Sequence, residues 1–279
     1  MTCVGPSLAA GDVTALFPSR PQLSACTRFI PTDRESRFNG LSPRTCRRPS
    51  TSGALAFLRR STIFDSSTPL LQLGNSKLGR AIHVWSIPAL ETCPGSTDVC
   101  RSLCYALRHR FRFDSVKRRL DWNLIQSLRD DFVERMTAEI RAAGVLVLRL
   151  HVAGDFYGAE YVRKWVAIVK RSPRVRFFGY TRSWRIPALL PALEELAASS
   201  AMRLWYSADE ESGVPTSVPP TVRIAYLQTS AHPPPQGVDL VFRPTRLRKL
   251  PASPLVCEHE TPLGKHSGVT CGSCGRCFR

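Results

Sequence analysis

Seven cysteines in two groups are the side chains of this chain whose types and spacing could do chemistry. They are the loop cysteines, Cys93, Cys100 and Cys104, and the C-terminal cysteines, Cys257, Cys271, Cys274 and Cys277. Thiolates are soft ligands, and cysteines at such short spacing are typical of zinc or iron–sulfur sites. Both groups therefore predict bound metal.

The C-terminal cysteines follow the pattern Cys-x13-Cys-x2-Cys-x2-Cys. Zinc sites usually pair two Cys-x2-Cys turns, whereas a compact run of three cysteines with one remote cysteine favours a [4Fe–4S] cluster. His259 and His266 lie in the same stretch and could serve zinc instead. The spacing predicts an iron–sulfur cluster here, with zinc as the alternative.

The loop cysteines follow the pattern Cys-x6-Cys-x3-Cys and have no fourth thiol nearby in the chain. Three thiolates on a [4Fe–4S] cluster would leave one iron open to a substrate or cofactor. Two alternatives remain: all seven cysteines could share one composite site, or the loop cysteines could be only partly used.

Polar residues at the ends of two predicted strands are the candidates for substrate binding and catalysis. His151 and Asp155 follow one strand, and Tyr180 and Arg182 follow the next. In parallel α/β folds, function gathers at the carboxyl ends of strands. We expect these four residues to line a pocket there. The competing interpretation is that Asp155 caps a helix and His151 is a buried core histidine.

The elements that must position these residues alternate between strand and helix patterns. Strands are predicted at 81–88, 145–152, 175–180, 202–207, 222–227 and 238–242. Helices are predicted at 114–143, 157–171 and 187–199. This alternation predicts right-handed crossovers and a parallel sheet. The fold class is α/β, either an incomplete (β/α) barrel, which we favour, or an open sheet, with a cysteine-rich metal-binding segment at the C-terminus.

Three parts of the chain differ in composition. Residues 1–69 are rich in proline, serine and arginine, and they predict either a disordered basic extension or an over-long gene start that is not part of the working domain. Residues 70–250 form the predicted α/β domain, with the cysteine loop at 92–106. Residues 251–279 carry the C-terminal cysteines.

The chain is strongly basic, with 39 lysines and arginines against 22 aspartates and glutamates and a net charge of +17. Such a surplus favours polyanionic partners, so contact with nucleic acid is plausible. No apolar run is long enough to span a membrane, and no secretory signal is evident. Reduced, metal-binding thiols in this context predict a cytoplasmic protein.

Several motifs resemble the phage gene product 88 family. They are Leu73-Gly74-Asn75-Ser76-Lys77-Leu78-Gly79, Ile87-Pro88-Ala89, Thr92-Cys93-Pro94-Gly95, Cys104-Tyr105-Ala106, Gly154-Asp155-Phe156, Thr181-Arg182-Ser183-Trp184 and Thr270-Cys271-Gly272-Ser273-Cys274. The similarity covers about 70–279 and implies that the cysteine sites matter, without implying a reaction.

The ending Cys100-x3-Cys104-Tyr105-Ala106 also looks like the cluster loop of radical S-adenosylmethionine enzymes. Those enzymes have a partial α/β barrel with the loop after the first strand, so the resemblance implies S-adenosylmethionine as a possible cofactor. Their usual spacing is Cys-x3-Cys-x2-Cys, from which this chain departs. It also has Val152-Ala153-Gly154-Asp155 where a Gly-Gly-Glu element is expected.

Two functional hypotheses result. The first is an iron–sulfur, radical S-adenosylmethionine-like enzyme that acts on nucleic acid or a nucleotide. The second is a non-enzymatic nucleic-acid-binding protein in which zinc stabilises the loops.

Overall fold

The computed structural model describes residues 64–65 and 67–279. The predicted N-terminal extension therefore lies almost wholly outside the described residues. The strands are β1 (Gln72–Leu73), β2 (Ile82–Trp85), β3 (Val147–Leu150), β4 (Arg176–Thr181), β5 (Met202–Ala208), β6 (Arg223–Leu227) and β7 (Leu240–Phe242). The helices are α1 (Asp98–Leu103), α2 (Asp114–Leu128), α3 (Phe132–Ala142), α4 (Ala159–Arg171), α5 (Leu190–Ala197), α6 (Pro262–His266) and α7 (Cys271–Cys274).

The seven strands form one sheet in the order β1-β2-β3-β4-β5-β6-β7, which is also their order in the chain. Strands β2 to β7 run parallel, and only β1 is antiparallel to its neighbour. Because β1 and β7 stand at the two edges, the sheet is open. The predicted α/β fold with a mostly parallel sheet is confirmed in this form.

One face of the sheet is covered by helices. Trp165 of α4 is fully buried there, with its ring centroid 6.2 Å from that of Trp85 and 5.7 Å from that of Phe132. The strands contribute Leu148, Phe177 and other apolar side chains to the same large cluster. The helices α3, α4 and α5 are held against the sheet by this apolar burial.

The opposite face, which we call the inner face, is covered by the C-terminal segment. The ring of Phe278 lies 5.5 Å from that of Phe178 in β4. The indole Nε1 of Trp205 in β5 donates to the carbonyl of Cys277 at 3.0 Å. Cys271 and Cys277 belong to the apolar cluster on this face. The C-terminal cysteines are therefore tied to the middle of the sheet.

The sequence predicted a single helix over 114–143, and the structure shows two, α2 and α3. Arg129 has an extended backbone (ψ 150°) and ends α2. The ammonium group of Lys164 donates to the carbonyls of Ser127, Leu128 and Arg129, which satisfies the end of α2. Both helices present apolar residues to the same core, so the apolar period continues across the break.

Two further differences concern short elements. The cysteine loop, expected to be irregular, contains the six-residue helix α1. The edge strand β1 was not predicted because two residues cannot show a period. Among the described residues, no helix is long and apolar enough to cross a membrane.

Replacing Trp165 tests the helix-covered core. W165A should lower the free energy of unfolding by about 3–5 kcal/mol, because it leaves a cavity among three aromatic rings. The matched control is L146A, since Leu146 is 72% exposed and its loss should change stability by less than about 0.5 kcal/mol. Denaturant unfolding measures both, and equal effects would contradict this packing.

Candidate functional site

The cysteine loop is anchored at the carboxyl ends of the parallel strands. It follows β2, and Gly95 lies so close to the segment after β4 that an added Cβ would sit 1.9 Å from the carbonyl oxygen of Arg182. Arg185 donates from Nη1 to the carbonyl of Gly95 at 2.9 Å. Only glycine fits this approach, so the position of the loop depends on it.

A buried aspartate holds the start of α1. The hydroxyl of Thr97 donates to Oδ2 of Asp209 at 2.6 Å and accepts from the backbone N–H of Cys100 at 2.9 Å. Nη1 of Arg182 lies 2.7 Å from the same carboxylate oxygen, and Asp209 is fully buried. These contacts fix Cys100 relative to the ends of β4 and β5.

A second buried aspartate joins the ends of β3 and β4. Asp155 accepts from the backbone N–H of Phe156 through Oδ1 and from that of Arg182 through Oδ2, both at 2.7 Å. Burial raises the pKa of Asp155 to about 6, although its hydrogen bonds act in the opposite direction. The structure thus brings Asp155 and Arg182 together. Their contact fixes the segment after β4 on which the cysteine loop packs.

The loop cysteines lie near one another beside this network. Each is partly buried and free. Burial raises the pKa of the Cys93 thiol to about 12, and the nearby Asp155, Cys100 and Cys104 act in the same direction. Burial also raises the pKa of Cys100, against the opposing charge of Arg182. Protonated thiols in this setting release protons only to a strong competitor such as a metal ion.

The C-terminal cysteines line one small cavity at the inner face. Cys257 follows β7, two of the others belong to α7, and Cys277 comes just after it. His259 lines the same cavity, while its Nδ1 lies 3.1 Å from the carbonyl of Val269. Burial raises the pKa of Cys257, Cys271 and Cys277. The four thiols therefore line one cavity, although Cys257 is distant in the chain from the other three.

Arg149 of β3 lies on the inner face next to these thiols. Its guanidinium carbon is 5.7 Å from the ring centroid of Tyr180 and 5.9 Å from that of Phe178. Burial lowers the pKa of Arg149, but Tyr105, Tyr180 and the thiols of Cys271 and Cys277 outweigh it, so the pKa is raised. Among the described residues, no carboxylate lies within ion-pair distance of Arg149.

The two cysteine groups occupy different places, the loop cysteines at the carboxyl ends of the strands and the C-terminal cysteines at the inner face. As they stand, no group of three or more histidine, cysteine, aspartate or glutamate side chains in the described part of the chain forms a metal site. The structure therefore shows where the thiols gather, and metal binding remains a prediction.

His151 lies among aromatic side chains between the sheet and α4. Its Nε2 is 2.9 Å from the hydroxyl of Tyr161, which accepts from Nε1 of Trp85 at 2.8 Å. Its ring meets that of Phe156 edge-on, with centroids 4.5 Å apart. Burial lowers the pKa of His151 to about 3, so the imidazole is neutral. Its backbone is left-handed, with φ +57°.

Tyr180 is separate from the other three predicted pocket residues. It stacks on Trp205 with centroids 5.7 Å apart, and its hydroxyl is buried without a hydrogen-bond partner among the described residues. Burial raises the pKa of Tyr180 well above its usual value, and Cys277 adds to the shift. Tyr180 therefore belongs with the C-terminal cysteines, whereas Asp155 and Arg182 belong with the loop.

Sequence reasoning did not include Arg149 and Thr97 among the site residues. A signal for Arg149 was present, since it is a charged residue in an otherwise apolar strand run. Thr97 stands three residues before Cys100, which is the spacing of a helix N-cap. The contact of Thr97 with Asp209 spans 112 positions and has no local signal.

Comparisons with known proteins found one matching family model and similar phage proteins. A family model described as Gene product 88 matches residues 66–279. Similar proteins are the gene 88 proteins of Mycobacterium phage L5, 29% identical over 154 residues, and Mycobacterium phage D29, 27% identical over 156 residues. Each match covers 50% of this chain, and 62% and 61% of the respective relatives, less than two thirds of their length. No solved structure matches.

Substituting Gly95 tests the anchoring of the cysteine loop. G95A should destabilise the protein by about 1–3 kcal/mol, because the new methyl group meets the Arg182 carbonyl. It should also speed the reaction of the loop thiols with a chromogenic reagent. G158A is the control, since nothing lies within 4 Å of its added Cβ; as the N-cap of α4 it should cost up to about 1 kcal/mol and leave thiol reactivity unchanged. Indistinguishable unfolding and thiol reactivity in the two variants would contradict the anchoring.

The buried His151 predicts a pH dependence of stability. Its pKa of about 3 in the folded state is below that of an unfolded histidine, so its contribution is present above about pH 6.5 and is lost as the pH falls. Between pH 7 and pH 4.5 this loss should reach about 2–3 kcal/mol. The variant H151N should not show this loss of stability, and asparagine tolerates the left-handed backbone at this position.

Urea unfolding of wild type and H151N across that range isolates the effect. The raised pKa of Asp155 acts in the opposite direction, but it is present in both proteins and cancels in the difference. Parallel stability curves for the two proteins would show that His151 is not held neutral.

Proposed function

The chain belongs to the gene product 88 family, and from that premise we propose that it is a metal–thiolate protein, with an iron–sulfur cluster held by the C-terminal cysteines. The observation that carries the proposal is that four thiols from two segments, Cys257 and residues 271–277, line one cavity at the inner face. Sulfur donors of this number suit a [4Fe–4S] cluster or zinc.

The charge around the cavity supports the proposal. Four thiolates on either kind of centre leave a net negative charge, and Arg149 is a cation with no carboxylate beside it in the described part of the chain. Burial raises the pKa of Cys257 and Cys271, and the charge of Lys77 acts in the opposite direction. An anionic centre would compensate Arg149, whereas four neutral thiols would leave its buried charge poorly balanced.

Metal binding requires the four thiols to lie closer together than they do here. The chain allows this adjustment, because α7 is only four residues long and ends at Gly275 in the left-handed conformation. Cys277 stands in the turn after α7, and Cys257 stands just before a 3-10 turn. Rotation of the cysteine side chains would bring the sulfur atoms together while the backbone bonds of Cys257 to Val241 and of Cys277 to Trp205 stay in place.

We further propose that the loop cysteines hold a second cluster and that the protein is a radical S-adenosylmethionine-like enzyme. Two features support this: the parallel strands follow one another in chain order, as in a partial barrel, and the loop leaves the first of them at the carboxyl end. A three-thiolate cluster would supply an open iron for S-adenosylmethionine. Asp155, Arg182 and Asp209 would position the loop, and Tyr180 and Arg149 would face the inner side.

A second candidate function is a zinc-stabilised, non-enzymatic nucleic-acid-binding protein. The position of His259 in the lining of the thiol cavity favours it, since imidazole is a common zinc ligand. The role of Asp155 also favours it, since its carboxylate is used to hold the backbone N–H groups of Phe156 and Arg182. In this function the metal would stabilise the covering of the inner face.

Metal analysis of the full-length chain, purified without oxygen, tests the proposal. We expect iron and acid-labile sulfide, with a broad visible absorbance that fades in air. C271S and C277S should each remove the metal of the C-terminal site and lower the melting temperature, because the centre stabilises the folded state. C93S and C100S should leave that metal in place.

The control is C46S, since Cys46 belongs to neither cysteine group. Stoichiometric zinc without sulfide would replace the enzyme proposal with the zinc-stabilised protein. Protein that carries no metal, or whose metal content is the same in C46S, C271S and C277S, would contradict both. If clusters are present, the enzyme proposal further requires cleavage of S-adenosylmethionine that C93S abolishes.

A further inference from the structure

A strongly basic and unusually apolar surface lies directly after the loop cysteines. We call residues 105–117 the basic segment, which comprises two 3-10 turns and the start of α2. It contains four basic residues, Arg108, Arg110, Arg112 and Lys117, and one acidic residue, Asp114, and all five are exposed. Its net charge of +3 attracts polyanions.

The same segment exposes aromatic rings. Phe113 is 61% and Tyr105 is 50% exposed, and they are the two large aromatic side chains that the described part of the chain leaves exposed. Leu107 is exposed beside them. A ring exposed in water between guanidinium groups is typical of surfaces on which nucleic-acid bases stack.

The segment is firmly attached to the rest of the fold. Ala106 packs with Leu120 and Ala153 in a small apolar cluster. The hydroxyl of Tyr105 donates to the carbonyl of Val152, at the carboxyl end of β3. Arg108 donates to the carbonyl of Ser102. The exposed rings are therefore held on a fixed platform beside Cys104.

Arg110 and Arg112 differ from Arg108 and Arg119. Arg108 donates to the carbonyl of Ser102. The guanidinium carbon of Arg119 lies 4.8 Å from the ring centroid of Trp122, and Arg119 also donates to the carbonyl of Leu70. Within the described residues, Arg110 and Arg112 form no ion pair and no side-chain hydrogen bond. Their guanidinium groups are therefore open to phosphates, which they can bind through two hydrogen bonds each.

We propose that the basic segment binds single-stranded nucleic acid, with Arg110 and Arg112 on phosphates and Phe113 stacked on a base. The bound strand would pass beside the loop cysteines, which deepens the proposed function by naming its substrate class. The role of the cysteines rests on that proposed function, whereas strand binding itself needs no metal.

Single-stranded nucleic acid fits this surface better than a membrane does. Membrane-binding helices place their apolar residues on one face and their basic residues on the other. Here arginines and rings alternate along Arg110, Phe111, Arg112 and Phe113, on turns rather than on one helix face. This interleaving places a cation next to each stacking position.

Fluorescence anisotropy with the full-length protein tests the proposal. The ligand is a fluorescein-labelled, mixed-sequence single-stranded DNA of about 20 nucleotides, longer than the site of one binding fold. R110Q combined with R112Q should weaken binding about tenfold or more and reduce the salt slope by about 1.4. The matched control, R174Q with R176Q, removes the same charge from exposed positions at the amino end of β4 and should change binding less than about twofold.

A second set of variants replaces Phe113. F113A should weaken single-strand binding about fivefold or more with an unchanged salt slope, because stacking carries no charge. F113W should restore it, and a duplex of equal length should respond little to either change. Thermal unfolding of each variant checks that it folds.

Three results would overturn the proposal. One is an equal loss of oligonucleotide affinity in the two double-arginine variants, which would show that only the net charge of the protein matters. Another is full binding by F113A. The third is binding to vesicles of anionic phospholipid and not to the oligonucleotide. Metal is assayed on the same samples. Protein that carries no metal but still binds the oligonucleotide would contradict only the proposed function.

Discussion

A mostly parallel open sheet has two apolar faces, and both must be kept from water. In this chain the helices cover one face, and a short C-terminal segment with little regular structure covers the other. That segment brings few large apolar residues, chiefly Phe278, and it places thiols over Tyr180 and Trp205. The rest of the structure depends on this constraint, because a segment so short and polar buries little apolar surface of its own and would gain stability from a further tie.

A metal–thiolate centre would be such a tie. It would join Cys257, whose backbone N–H donates to the carbonyl of Val241 in β7, to the last turns of the chain, and it would balance the charge of Arg149. The same sheet supports the loop cysteines in another way. Buried Asp155 and Asp209 bind backbone N–H groups, Thr97 and Arg182, so the loop is held by a connected polar network rather than by apolar packing. The two cysteine groups are thus positioned by different kinds of interaction.

Much of the fold could be predicted, because strands and helices of an α/β protein carry their own periods. The strands over 202–207 and 222–227 and the helix over 157–171 were placed within two residues. The break after Leu128 could not be seen, since Lys164, which stabilises it, is distant in sequence. The cysteine groups were evident from spacing. The separation of Tyr180 from Asp155 and Arg182 was not, because it depends on which face of the sheet each side chain meets.

The central claim is that the C-terminal cysteines form a metal–thiolate centre on the inner face. X-ray absorption at the metal edge of the anaerobically purified full-length chain tests it most directly. The account predicts a first shell of sulfur atoms at about 2.3 Å, lost from the C-terminal site in C277S. A first shell of oxygen and nitrogen, or a folded chain that carries no metal, would contradict it.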